Sequence, residues 1–137
     1  MGSMLSNKNR KERAMKQILL IDDEPNILFM VSQRLKTYNY EVTTALSGEE
    51  GLELARRDIP DIVLLDHVMP DMDGDEVLVR LKMDPVTRGI PVVMFTADVK
   101  EVKIEDYLER GAVDCVYKPF VPAELLASIQ KVLDDKA

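Results

Sequence analysis

Five short apolar runs, separated by amphipathic stretches of helical length, limit what this chain can fold into. The runs are Ile18-Leu19-Leu20-Ile21, Tyr40-Glu41-Val42-Thr43-Thr44, Ile62-Val63-Leu64-Leu65, Val92-Val93-Met94-Phe95 and Val113-Asp114-Cys115-Val116-Tyr117. Runs of this length that alternate with helical stretches predict a βαβαβαβαβα chain and a parallel sheet. Parallel neighbours need a crossover, and the crossovers are right-handed. The first, third and fourth runs are continuously apolar and belong in the sheet centre. The second and fifth carry Glu41, Thr43, Thr44 and Asp114 and belong at its edges. The simplest arrangement is a doubly wound, flavodoxin-like (βα)5 α/β fold in the order 2-1-3-4-5. Its chain reverses direction between strands 1 and 3, and ligands of open α/β sheets bind at such a point, beyond the carboxyl ends of the strands.

The helices carry their own punctuation. Pro25 suits the first turn of a helix running to about Lys36, and Ser47 with Glu50 reads as a capping box for one reaching about Arg57. Gly74 precedes a third that stops before Pro85. A fourth covers about Val99 to Arg110, ahead of Gly111, and a fifth starts near Pro122 with an apolar stripe at Leu125, Leu126, Ile129, Val132 and Leu133.

Charge divides the chain into two parts. The formal net charge is −7, but residues 1–16 carry +4 and the remainder −11. The head, with Met1-Gly2-Ser3 before a second Met4, reads as an expression scar and a solvated basic tail. Its match to a myristoylation pattern, Gly2 with Ser6, then carries no meaning, and Met15 is a plausible original start. Residues 17–137 form the folded domain, an acidic body suited neither to direct nucleic-acid binding nor to anionic membranes. One cysteine, Cys115, and one histidine, His67, exclude a disulfide framework and a structural zinc site. No apolar run is long enough to span a bilayer and no secretory signal is present, so the expected location is cytoplasmic.

Each apolar run ends near a polar residue. Strand 1 ends in Asp22-Asp23, strand 3 in Asp66, strand 4 in Thr96 and strand 5 in Lys118. A parallel sheet brings these ends to one edge. Three carboxylates gathered there raise one another's pKa unless cations neutralise them. Lys118 supplies one charge, and the remainder favours a hard divalent ion such as Mg²⁺, which binds few carboxylates and accepts phosphate oxygens. The set suits phosphoryl transfer: Asp66 as the nucleophile, Asp22 and Asp23 holding the ion, Thr96 donating its hydroxyl, and Lys118 pairing first with the carboxylate and then with the phosphate. Singly, Asp22 and Asp23 read as turn residues or caps, Asp66 as a loop carboxylate, Thr96 as a cap and Lys118 as a surface lysine. Their ordered recurrence at four of five strand ends favours the site.

Ile18-Leu19-Leu20-Ile21-Asp22-Asp23-Glu24-Pro25, Asp66 with Met69-Pro70-Asp71-Met72-Asp73-Gly74, Thr96-Ala97 and Lys118-Pro119-Phe120 resemble the receiver domain of two-component response regulators over residues 17 to 134. The resemblance implies a phosphorylation-dependent signalling module rather than an enzyme in the usual sense. In it, Asp66 takes a phosphoryl group from a sensor histidine kinase or a histidine phosphotransfer protein. It also implies Mg²⁺ held by Asp23, Asp66 and the backbone carbonyl of Val68, with Asp22 acting largely through water. The surface of helix 4, strand 5 and helix 5 would present the change to a downstream target or output domain, or to a second copy as a homodimer. With no DNA-binding segment after Ala137, the chain reads as a stand-alone regulator or as a piece of a longer regulator or hybrid kinase.

Two positions depart from the family pattern. The aromatic switch residue expected three before the lysine is Cys115, read here as a packing residue, and Tyr117 lies about 7 Å further along the strand. The positions that tune dephosphorylation, two after Asp66 and two after Thr96, are Val68 and Asp98. Val68 cannot orient a water, so fast self-dephosphorylation is not expected. An aspartyl phosphatase or phosphotransferase of the haloacid dehalogenase kind needs a second Asp two after the nucleophile, where this chain has Glu24 or Val68. A flavin or nucleotide carrier needs a phosphate loop where Asp-Asp-Glu-Pro stands. The stretch Asp71 to Glu76 lacks EF-hand spacing and reads as a turn with a negative first helical turn, and His67 as polar loop surface.

Overall fold

The structure is a computed structural model that describes residues 15–96, 104–118 and 122–136. Its elements run β1 (Gln17–Ile21), α1 (Pro25–Lys36), β2 (Glu41–Ala45), α2 (Gly48–Asp58), β3 (Ile62–Asp66), α3 (Gly74–Met83), β4 (Val92–Thr96), α4 (Ile104–Glu109), β5 (Asp114–Tyr117) and α5 (Pro122–Lys136). All neighbouring strands pair in parallel, in the order β2-β1-β3-β4-β5 expected from the sequence. The ranking of centre and edge holds as well: every residue of β3 is buried, whereas β2 buries only Ala45.

Strand parity builds two cores from one sheet. Leu19, Ile21, Val63, Leu65, Met94 and Cys115 face one way and pack with Val77, Leu78 and Leu81 of α3 and Tyr107 of α4. Ile18, Leu20, Leu64, Val93, Phe95 and Val116 face the other way, against Leu28 and Leu35 of α1 and Leu125 and Ile129 of α5. Helices therefore cover both faces, and the carboxyl ends of the strands remain the open edge where side chains can converge.

Two local details differ from the expectation. Gly74 is the first residue of α3 and not its predecessor. The chain needs glycine there for a close approach, since its N–H donates to the His67 carbonyl at 2.7 Å. A Cβ at that position would collide with the Asp66 carbonyl oxygen and stand 2.8 Å from His67 Cα. At the start of α2, Ser47 Oγ does accept from the Glu50 N–H at 3.2 Å, but the Glu50 carboxylate takes the N–H of Leu46 instead of closing the box on Ser47. The remaining donors at this terminus, the N–H groups of Gly48 and Glu49, reach across to Asp71 at 3.0 and 3.2 Å. Asp71 thus caps a helix other than its own, and these backbone bonds hold its carboxyl below the usual range.

Candidate functional site

Register determines which side chains meet. Ile21 lies opposite Leu65, Asp66 opposite Phe95, Phe95 opposite Val116 and Thr96 opposite Tyr117. Asp22, Asp66 and Lys118 therefore leave the sheet at one edge although 96 residues separate the first from the last. Asp22 is fully buried and is anchored on both sides: its N–H donates to the Ala45 carbonyl at 3.1 Å and its Oδ1 accepts the Glu24 N–H at 2.9 Å. That bond shapes the turn before α1, whose N-cap residue Glu24 makes no side-chain capping bond, so the turn role expected of Asp22 exists alongside its place in the site and the capping role does not.

Asp22, Asp23 and Asp66 each offer a carboxylate oxygen within 4.8 Å of the others. Lys118 Nζ stands 2.8 Å from Asp22 Oδ2 and 3.4 Å from Asp66 Oδ1, and 4.6 Å from the centroid of the Phe95 ring. The lysine is thus closer to Asp22 than to the expected nucleophile, to which it lies in ion-pair range. Three carboxylates face one ammonium, so the cluster holds excess negative charge in a site where charge is poorly solvated. Asp66 shows the result. Burial first and the Asp22 charge second push its carboxyl up to about 7, against the opposing pull of Lys118. Burial disfavours the Lys118 ammonium, but its hydrogen bond to Asp22 and the charges of Asp66 and Asp22 outweigh that, and its pKa is raised.

A donor set of three crowded carboxylates, one with its pKa raised by burial and by the Asp22 charge, fits a hard divalent cation, which would supply the missing positive charge. The other expected residues stand as follows. Thr96 closes β4 on the same edge, while its side chain, all of Asp98, and Ala97, Pro119 and Phe120 lie outside the described residues. The Val68 side chain is exposed. Cys115 is buried and free, its thiol pushed up to about 11 by burial and by Asp114.

His67 departs from the expectation of polar loop surface. Its ring packs edge-on to Tyr107 with centroids 5.7 Å apart, and its Nδ1 is hydrogen-bonded to the Tyr107 hydroxyl. The same nitrogen lies 3.5 Å from Asp75 Oδ1, and Asp75 Oδ2 pairs with Arg110 at 2.9 Å. No spacing in the sequence joins residue 67 to residue 107. The signal available was a tyrosine on the inward face of a short helix next to the strand that carries Cys115.

Residues 18–130 match the family described as response regulator receiver domain. The chain is 43% identical over 117 residues to the response regulator PleD of Caulobacter vibrioides, covering 85% of this chain and 26% of PleD. It is 37% identical over 118 residues to the alkaline phosphatase synthesis transcriptional regulatory protein PhoP of Bacillus subtilis, covering 86% and 48%. Among solved structures it is similar to chemotaxis protein CheY4 of Vibrio cholerae, with TM-score 0.81 and 34% identity over 87% of this chain and 99% of that one. A CheY-like receiver domain protein of Methanospirillum hungatei gives TM-score 0.81 and 31% identity over 89% and 96%. The chain spans about a quarter of PleD and about half of PhoP.

Proposed function

The chain belongs to the response regulator receiver domain family, a module of phosphorylation-dependent signalling, and from that premise we propose that Asp66 is the residue that accepts the phosphoryl group. The observation that carries this reading is the convergence of Asp22, Asp23, Asp66 and Lys118 at the carboxyl edge of the sheet. Asp66 is the buried carboxylate that ends the central strand β3. In the transfer, an Asp66 carboxylate oxygen forms a new O–P bond as the N–P bond of a donor phosphohistidine breaks. The electron pair leaves on the imidazole nitrogen. Lys118, already in ion-pair range of Asp66, stays beside the transferred group as a compact point charge.

Asp23 and Asp66, with Asp22 and the Val68 carbonyl, would hold Mg²⁺, which when bound offsets charge on the carboxylates and on the phosphoryl oxygens. Thr96 at the end of β4 is assigned the hydroxyl donor to a phosphoryl oxygen. The donor is a sensor histidine kinase or a histidine phosphotransfer protein in the cytoplasm. The changed surface of α4, β5 and α5 meets a downstream target, an output domain or a second copy. Residues 17–137 form the receiver unit. An aspartyl phosphatase finds no support, since the second Asp it needs is missing after both candidate nucleophiles.

Incubation with Mg²⁺ and acetyl phosphate, followed by intact mass spectrometry, tests the assignment. Wild type gains one phosphoryl mass and Asp66→Ala gains none. No gain in wild type, or an equal gain in Asp66→Ala, would overturn it.

A further inference from the structure

Tyr107 anchors helix α4 in the core. Among its described side chains, residues 105–109, only Tyr107 is buried, with its ring in the core that also holds Met94, Ala112 and Cys115. The hydroxyl of that ring is bonded to His67, the residue that follows Asp66. Beside that pair, Asp75 Oδ1 is buried without a hydrogen-bond partner, 3.5 Å from the same His67 nitrogen. His67 is also held by its main chain, whose carbonyl accepts the Gly74 N–H at 2.7 Å. One residue beside the acceptor is therefore gripped by α3 through its backbone and by α4 through its side chain.

We propose, on the reading that Asp66 is the acceptor, that Tyr107 is a positioning residue for it: through His67 its hydroxyl fixes the chain beside Asp66 and ties α4 to the state of that carboxylate. A phosphoryl group added at Asp66 must be accommodated by the peptide that joins Asp66 to His67. Any displacement of His67 is felt at the Tyr107 hydroxyl. Cys115, at the usual place of the reporting aromatic, is too small for that role, and Tyr107 brings an aromatic ring to the same core from the neighbouring helix.

Tyr107→Phe removes the hydroxyl and keeps the ring, and His67→Ala removes its hydrogen-bond partner. Each is expected to weaken binding of beryllofluoride, a phosphoryl mimic, in the presence of Mg²⁺ by about two- to tenfold, the effect of one hydrogen bond. The double variant should bind no more weakly than the single ones, because both remove the same bond. In protein labelled with ring-¹³C tyrosine, the Tyr107 resonance, assigned by its loss in Tyr107→Phe, should move on saturation with Mg²⁺ and beryllofluoride. In His67→Ala it should stay still although the mimic binds. If wild type binds the mimic while the Tyr107 resonance stays fixed, or if the two variants' effects multiply, this proposal fails and the acceptor assignment stands. If wild type neither binds the mimic nor gains a phosphoryl group, the acceptor assignment fails and takes this proposal with it.

Discussion

Strand β3 has a buried aspartate at each end, and the two are treated in opposite ways. Asp61, just before the strand, accepts the Gln17 N–H at 2.7 Å and returns its own N–H to the Gln17 carbonyl at 2.9 Å. It stitches β3 to β1, and its carboxylate has a backbone donor. Asp66, at the other end, has an ammonium 3.4 Å away and two further carboxylates as neighbours. Equal burial of the same residue type thus yields a structural bond at one edge and an unmet demand for positive charge at the other. Unmet demand of this kind costs stability in the resting protein and supplies the affinity for what binds there.

The contrast can be broken most decisively at Asp66. Asp66→Ala should abolish phosphoryl gain in the mass assay while raising stability in metal-free buffer at about pH 8, where the carboxylate would otherwise be ionised among like charges. Lys118→Ala should act in the opposite sense on stability, since it leaves Asp22 and Asp66 buried without their cation. A loss of about 3–5 kcal/mol is expected by urea titration at neutral pH. Lys118→Arg keeps the charge yet should slow phosphoryl gain, because a planar fork replaces a point charge. At the other end of the strand, Asp61→Ala should cost about 1 kcal/mol, the loss of a hydrogen bond to a half-buried N–H, and leave the mass gain intact. A mass gain lost in Asp61→Ala without unfolding would erase the distinction between the two ends.

Finer measurements sharpen the comparison. The Asp66 pKa is raised from 3.8 to about 7, so between those values the folded state holds a proton that the unfolded state has released. From this group, stability falls as pH rises from about 4 to about 7 in metal-free buffer. Mg²⁺ competes with that proton, so the rise in Tm on adding Mg²⁺ should be larger at about pH 8 than at about pH 5. An equal rise at both would remove the metal from Asp66. The smallest effect concerns the lifetime of the phosphoform. The exposed Val68 side chain has no group to orient a water, so Val68→Asn should decay as fast as wild type or faster when the phosphorylated mass is followed over time, and a slower variant would contradict the argument.

Strand order and the candidate site were legible in the sequence for a shared reason. A strand buried on both faces reads as an unbroken apolar run, so the residue that ends the run marks both the end of the strand and the edge of the sheet. Ile62 to Leu65 followed by Asp66 carries both facts in five letters. What was not legible depends on how far loops and helices reach sideways. The reach of Asp71 to the start of α2, the stitch from Asp61 to Gln17 and the bond between His67 and Tyr107 join residues 23, 44 and 40 positions apart. No periodicity connects such pairs. Whether the last one forms depends on how the loop after β3 and helix α4 pack against the same face of the sheet.

The buried Cys115 has a practical consequence. A thiol sealed in the core with its pKa pushed up to about 11 reacts with alkylating reagents only when the structure around it opens. The chain contains no other cysteine. Its rate of alkylation is therefore a native clock for local opening around β5, readable without any label, and comparing that rate before and after phosphorylation would measure how much the modification tightens or loosens this side of the sheet.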